Sequence, residues 1–142
     1  MITEDRVTFE IAKLLRDKGF PQNTFEIDCN ACYKYNGNLC NNVKSMSGVD
    51  REISYMAPTI QMVLKWLKEV HNIYIAVNIT YSEDPKLFSP EYYVHINNTL
   101  TGESLIKEIC SLVHDKTLTP KGFNRSETAC EAAIKYALEN LI

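Results

Sequence analysis

"APTIQMVLKWLKEVHNIYIAVNITY", residues 57–81, changes its hydrophobic period once, and that change decides the fold. In the first half Ile60, Val63, Leu64 and Leu67 recur at the three- and four-residue intervals that line one face of a helix. Pro58 suits the first helical position, where the missing N–H costs nothing, and Asn72 after His71 can take the left-handed conformation that ends a helix. From Ile73 the period becomes two. Ile73, Ile75, Val77 and Ile79 alternate with Tyr74, Ala76, Asn78 and Thr80, giving a strand with one apolar face. A helix that runs directly into an amphipathic strand excludes an all-helical bundle.

Downstream, residues 82–90 contain Pro85 and Pro90 and read as a loop. Tyr92, Val94 and Ile96 then alternate with Tyr93, His95 and Asn97, and the two strands pair most simply as an antiparallel hairpin. Leu105, Ile109, Leu112 and Val113 have helical spacing with Thr101 as a cap, which predicts a helix over 103–114. Pro120 and Gly122 interrupt the chain. Asn124 with Glu127 three residues on has the form of a capping box, opening a last helix over 126–141 whose stripe is Cys130, Ile134, Ala137, Leu138 and Leu141.

Upstream, Thr3 reads as an N-cap with Glu4 and Asp5 in the first turn, followed by a stripe of Val7, Ile11, Leu14 and Leu15. Gly19 supplies a left-handed terminus, with Phe20 placed to pack back and Pro21 to forbid continuation. Phe25 and Ile27 alternate with polar neighbours, Asn36-Gly37 after Tyr33 and Tyr35 signals a hairpin turn, and residues 41–50 read as a loop. The predicted class is α+β: an antiparallel sheet of two hairpins packed against three or four helices, in one domain spanning 1–142. Leu64, Leu67, Ile75, Val77, Val94, Ile134 and Leu138 are expected to meet in one core.

The chain of 142 residues is 45% hydrophobic and 23% charged, a balance that excludes wholesale disorder and fibrous architecture. Fifteen basic against eighteen acidic residues give a net charge of -3 without long blocks of either sign. Nucleic acid is disfavoured as a partner, because a phosphate backbone demands concentrated positive charge, and membrane-surface binding is disfavoured on the same ground. The opening twenty residues carry acids early and hold no apolar run of signal-peptide length, which predicts a cytoplasmic protein.

Three cysteines fall within "CNACYKYNGNLC", Cys29, Cys32 and Cys40. A structural zinc site takes four ligands, commonly as two close pairs, and here the second pair is missing. A fourth ligand would have to come from His71, His95, His114, Cys110 or Cys130. A redox CxxC is weaker still, because that motif works at a helix N-terminus and Cys29 to Cys32 lies in strand-like sequence. An odd total of five cysteines and the expected cytoplasmic setting predict thiols, so these are read as hairpin residues without metal or cofactor.

No nucleophile–base spacing and no glycine-rich phosphate loop is present in the sequence, so no catalytic residue is assigned. The binding candidates are Tyr74, Tyr93 and His95, on the more polar side of the predicted second hairpin. Tyrosine covers area yet keeps a hydrogen-bonding tip, which suits an interface as well as a core under a helix. His71, at a helix C-terminus, is placed where a positive charge complements the dipole.

Four pieces in order, "VTFEIAKLLRDKGF", "APTIQMVLKWLKEVHNIYIAV", "EYYVHI" and "ACEAAIKYALENLI", together resemble a family of small proteins encoded by phages and prophage-like elements of Bacteroidetes. The resemblance implies a bacterial or phage cytosolic protein and transfers no site residues. The cysteine-bearing hairpin and the segment 103–122 depart from it. The function expected is that of an accessory protein binding a host protein or a small molecule. An enzyme with its site on the tyrosine- and histidine-bearing sheet face, and a structural or assembly protein, are the alternatives. An open strand edge and a surplus of tyrosines further predict a homodimer.

Structural zinc contributes folding free energy directly. Purified protein is therefore expected to hold less than one equivalent of zinc and to melt at one temperature with or without a chelator. One equivalent by elemental analysis, lost together with the fold, would overturn this reading of the three cysteines.

Overall fold

The computed structural model describes residues 5–22, 29, 31–40, 54–81, 90–105 and 126–142, with backbone alone at positions 80, 81, 90, 91, 93 and 126. Thr3, Phe25, Ile27, the predicted loop 41–50, Cys110, His114 and the Asn124 capping box lie outside these residues. The first helix, α1 (Phe9–Asp17), begins later than the sequence predicts. Its N-cap is Thr8, whose hydroxyl accepts the Ile11 N–H at 3.4 Å. Residues 5–8 are instead extended: Val7 N–H donates to the Pro58 carbonyl (3.1 Å), Ile60 N–H donates to the Asp5 carbonyl (2.9 Å), and Arg6 bridges Thr59. A backbone partner outcompetes helix extension there.

The far end of α1 follows the sequence. Gly19 sits at φ 89°, its N–H donates to Arg16, and the Phe20 N–H reaches back to the Leu15 carbonyl at 2.9 Å. This pair of bonds closes the last turn and buries Phe20.

Strands β1 (Cys32–Lys34) and β2 (Leu39–Cys40) form the predicted hairpin, and β3 (Ser54–Met56) adds to the free side of β1 in the order β2-β1-β3, all antiparallel. Gly37 in the turn has φ 87°, and a Cβ there would meet the Phe9 ring at 3.3 Å. Both constraints demand glycine. Register splits this small sheet into two chemically different faces. Tyr33 and Tyr55 are partners and pack on Phe9 of α1, with ring centroids 5.6 and 5.7 Å away, while Cys32 pairs with Cys40 on one side and Met56 on the other.

Helix α2 (Ile60–His71) is capped by Thr59, which accepts the Met62 N–H at 3.3 Å. Pro58 therefore lies before the cap instead of in the first turn, and its carbonyl is used by Val7. Asn72 ends the helix at φ 57°, as its side chain permits. Strands β4 (Ile73–Tyr81) and β5 (Pro90–Asn98) follow, paired antiparallel from Ile73–Asn98 to Tyr81–Pro90. They form a second sheet, so the single sheet predicted from two hairpins is in fact two. β3 is committed to β1 and passes through Ala57-Pro58 straight into α2, which carries the chain away before β4 starts.

After β5 the chain turns back. The Asn98 side chain accepts the Leu100 and Thr101 N–H groups, Gly102 takes φ 71°, and Leu105 N–H donates to Ile96. Residues 103–105 lie along the end of β5, with Asn97 bridged to Ser104, and do not begin the helix predicted there. Thr101 accepts the Glu103 N–H at 3.3 Å within the turn that folds the chain back on β5, and no helix follows it in residues 103–105. The remainder of 103–114 is outside the described residues.

Helix α3 (Ser126–Asn140) closes the structure. Ala129, Ala133, Ile134, Ala137 and Leu138 are buried against the inner faces of β4 and β5, α1 and α2. Lys135 pairs with Glu10 across the α1–α3 contact at 2.9 Å. The main core joins Leu67, Ile75, Val94, Ile134 and Leu138 in one cluster with Leu64 and Val77 packed on it, the group expected from sequence. The apolar strand face is not wholly buried, however, since Ile79 is 46% exposed. No helix among the described residues is long and apolar enough to cross a membrane.

Leu67 is fully buried at the centre of this cluster. Truncation to alanine removes transfer free energy and leaves a cavity, so Leu67→Ala is expected to cost about 2–5 kcal/mol in urea unfolding. A loss below about 0.5 kcal/mol would place α2 the other way round.

Candidate functional site

Alternation along the second hairpin sorts its residues by face. Ile73, Ile75, Val94 and Ile96 are buried inward, whereas Tyr74 and His95 are exposed on the opposite side. Tyr74 is the register partner of Asn97 and His95 of Ala76, so the two side chains are diagonal neighbours, about 7–8 Å apart by sheet geometry. Tyr93 is paired with Asn78, and its side chain lies outside the described set. Tyr74 is exposed on this face, which separates it from Tyr33 and Tyr55, whose rings pack on Phe9.

Lys68 joins the face, a contribution the sequence reading missed. Its ammonium stands 5.8 Å from the centre of the Tyr74 ring. The reason is local: the left-handed Asn72 leaves a one-residue reversal between helix and strand, so the last turn of α2 overhangs the first residues of β4. Such a cation over an exposed ring is worth about 0.5–1 kcal/mol. The resulting surface offers an aromatic plane, a positive charge and an imidazole on one face of the hairpin.

A second group of polarisable side chains lies on the small sheet. Cys29, Cys32 and Met56 are buried together, with Cys40 and Met62 packed against them. The Cys29 thiol donates to the Ala57 carbonyl at 3.4 Å and the Ala31 carbonyl at 3.5 Å. The Arg6 guanidinium lies 3.9 Å from its sulfur and donates to Ala57 O at 2.7 Å. Among the described residues no group of three or more His, Cys, Asp or Glu side chains is disposed to hold a metal ion.

His71 corrects the expectation of a charged helix terminus. Its ring packs edge-on against Trp66 at 4.6 Å, and Trp66 in turn packs on Phe20 at 5.2 Å. Nε2 is buried without a hydrogen-bond partner. Burial holds its pKa below the ordinary histidine value, so desolvation outweighs the helix dipole.

Comparison of the chain with protein-family models, with curated proteins and with solved structures finds no match.

Folded His71 takes up a proton less readily than the unfolded chain, whose histidines titrate near pH 6.5. The unfolded state thus binds more protons as pH falls through that value, and stability falls with it. The urea midpoint is expected to drop between about pH 7.5 and about pH 5.5, and His71→Phe, which keeps an aromatic ring without the titrating nitrogen, should flatten that drop. An unchanged slope in the variant would assign the effect to other groups.

Proposed function

We propose that the protein works by binding, as a small phage- or prophage-type accessory factor of the cytoplasm that engages a host protein through the outer face of the β4–β5 hairpin. One observation carries the reading. Tyr74 is 48% exposed, with Lys68 over its ring and His95 exposed on the same face. A large aromatic ring left in water and steadied by a neighbouring cation is an arrangement that interfaces favour, since tyrosine contributes contact area and a hydrogen bond at small entropic cost. Side chains exposed side by side on one strand face favour a macromolecular partner, because small-molecule sites are concave.

A second copy of the chain is the other occupant this hairpin supports. Ile79 is exposed near the far end of β4, and among the described residues β4 has β5 as its only strand neighbour. A nine-residue strand edge of this kind pairs readily with an identical one.

Affinity capture from a bacterial lysate with wild-type protein and with the double variant Tyr74→Ser/His95→Ala tests the proposal. A partner retained by wild type should be lost from the variant at an unchanged melting temperature, and equal recovery by both would refute the assigned face. Light scattering separates the two occupants: a mass near 16.3 kDa, unchanged on tenfold concentration, retires the homodimer.

A further inference from the structure

The register of the small sheet sets three sulfur side chains in one row, Cys40 on β2, Cys32 on β1 and Met56 on β3. Lys34 N–H donates to Asn38 O at 2.9 Å, and since hydrogen-bonded pairs alternate along an antiparallel ladder, Cys32–Cys40 is a hydrogen-bonded pair too. The Cα atoms of such a pair stand about 5.5 Å apart. A disulfide spans Cα separations of about 4.4–6.8 Å, which this pair meets, and needs Cβ atoms about 3.5–4.5 Å apart against about 5.5 Å across a hydrogen-bonded pair, so closing the bond draws the two strands together.

Accessibility divides the roles. Cys40 is half-buried and Cys32 is 5% exposed behind it. An incoming reagent meets Cys40 first, and the second thiol is held within reach but shielded. The other described cysteines are less suited to start the reaction. The Cys29 thiol is buried and bonded to backbone carbonyls, and Cys130 is pushed up in pKa by burial and by Glu127 and Glu131, which keeps it protonated. Only the thiolate is nucleophilic.

We propose that Cys32 and Cys40 form a thiol–disulfide exchange site whose substrate is a small-molecule disulfide of the glutathione class. The Cys40 thiolate attacks one sulfur of that disulfide. A mixed disulfide forms on Cys40, and one small thiolate leaves and takes up the proton that Cys40 released. The Cys32 thiolate then attacks the Cys40 sulfur and expels the second small thiol. Two protein thiols and one small disulfide become one protein disulfide and two small thiols; the cysteine sulfurs are oxidised by two electrons and the small molecule is reduced by two. The closed bond ties both ends of the hairpin that carries Tyr35 and Leu39, which are 70% and 43% exposed. Hairpin opening is thereby coupled to the thiol poise of the surroundings.

The test equilibrates the full-length protein anaerobically with reduced and oxidised glutathione at stepped ratios, quenches with acid, alkylates the remaining thiols and maps peptides by mass spectrometry. The expected product lacks two hydrogens and two alkyl groups, its bond maps to Cys32–Cys40, and excess reduced glutathione reverses it. Cys32→Ser should accumulate the glutathione adduct on Cys40, because the resolving thiol is gone. Cys40→Ser should leave Cys32 alkylated on denaturation and without an adduct. A bond mapped to any other pair, Cys29–Cys32 included, or no intramolecular disulfide in excess oxidised glutathione, would overturn the proposal. The wild-type map decides even where a serine variant fails to fold.

Discussion

Both N-terminal helix caps hang from one short antiparallel contact. Residues 5–8 and 57–60 exchange the bonds Val7 N–H to Pro58 O and Ile60 N–H to Asp5 O, and Arg6 adds a side-chain bond to Ala57 O. Thr8, the cap of α1, directly follows Val7 of this contact, and Thr59, the cap of α2, is bridged to Arg6 within it. The contact thus ties the starts of the two helices to each other through backbone bonds. Tyr33 ties the small sheet to the same place, its hydroxyl donating to Val7 O at 2.7 Å, and burial keeps that hydroxyl protonated. The contact is almost wholly backbone, and each of its polar groups would be costly to leave buried and unpaired.

Around this anchor the molecule divides its labour by chemistry. The large hydrophobic cluster lies between the inner face of β4–β5 and the three helices. Three buried alanines of α3, Ala129, Ala133 and Ala137, keep that helix close to the sheet, with Ile134 and Leu138 as the bulky contacts. The small sheet has an aromatic side, where Phe9, Tyr33 and Tyr55 meet, and a sulfur side, where cysteines meet methionines. Tyrosines therefore do not share one role: Tyr33 and Tyr55 pack, whereas Tyr74 is left outward on the hairpin that offers a binding face.

What could be read from the sequence was what depends on near neighbours. The period change at Asn72, the Gly19-Phe20 terminus and the Asn36-Gly37 turn each follow from a few adjacent residues, and each stands in the structure. The errors share the opposite cause. Pro58 was expected inside the helix and Thr3 before it, because neither the Arg6–Thr59 bridge nor its pull on the backbone is visible within a helical window. Thr101 resembles a helix cap until Asn98 and Gly102 fold the chain back on β5. The site was legible only in part. Tyr74 and His95 could be assigned to one face by alternation, but Lys68 needed the reversal after α2, and the alignment of Cys32 with Cys40 and Met56 needed strand register, which sequence spacing does not give.

The contact between residues 5–8 and 57–60 also governs the order in which a growing polypeptide can become structured. Arg6 and its carbonyl partner on Ala57 are fifty-one residues apart, so the first helix is synthesised long before anything exists to hold its start. The β4–β5 hairpin, in turn, emerges before α3 and lacks that helix's share of the cover over its apolar inner face until residues 126–140 arrive. Contacts so distant along the chain are slow to form. The nascent protein consequently passes through a stage at which its two long strands are complete while part of their cover is missing, and that stage lasts until residues 126–140 have been made.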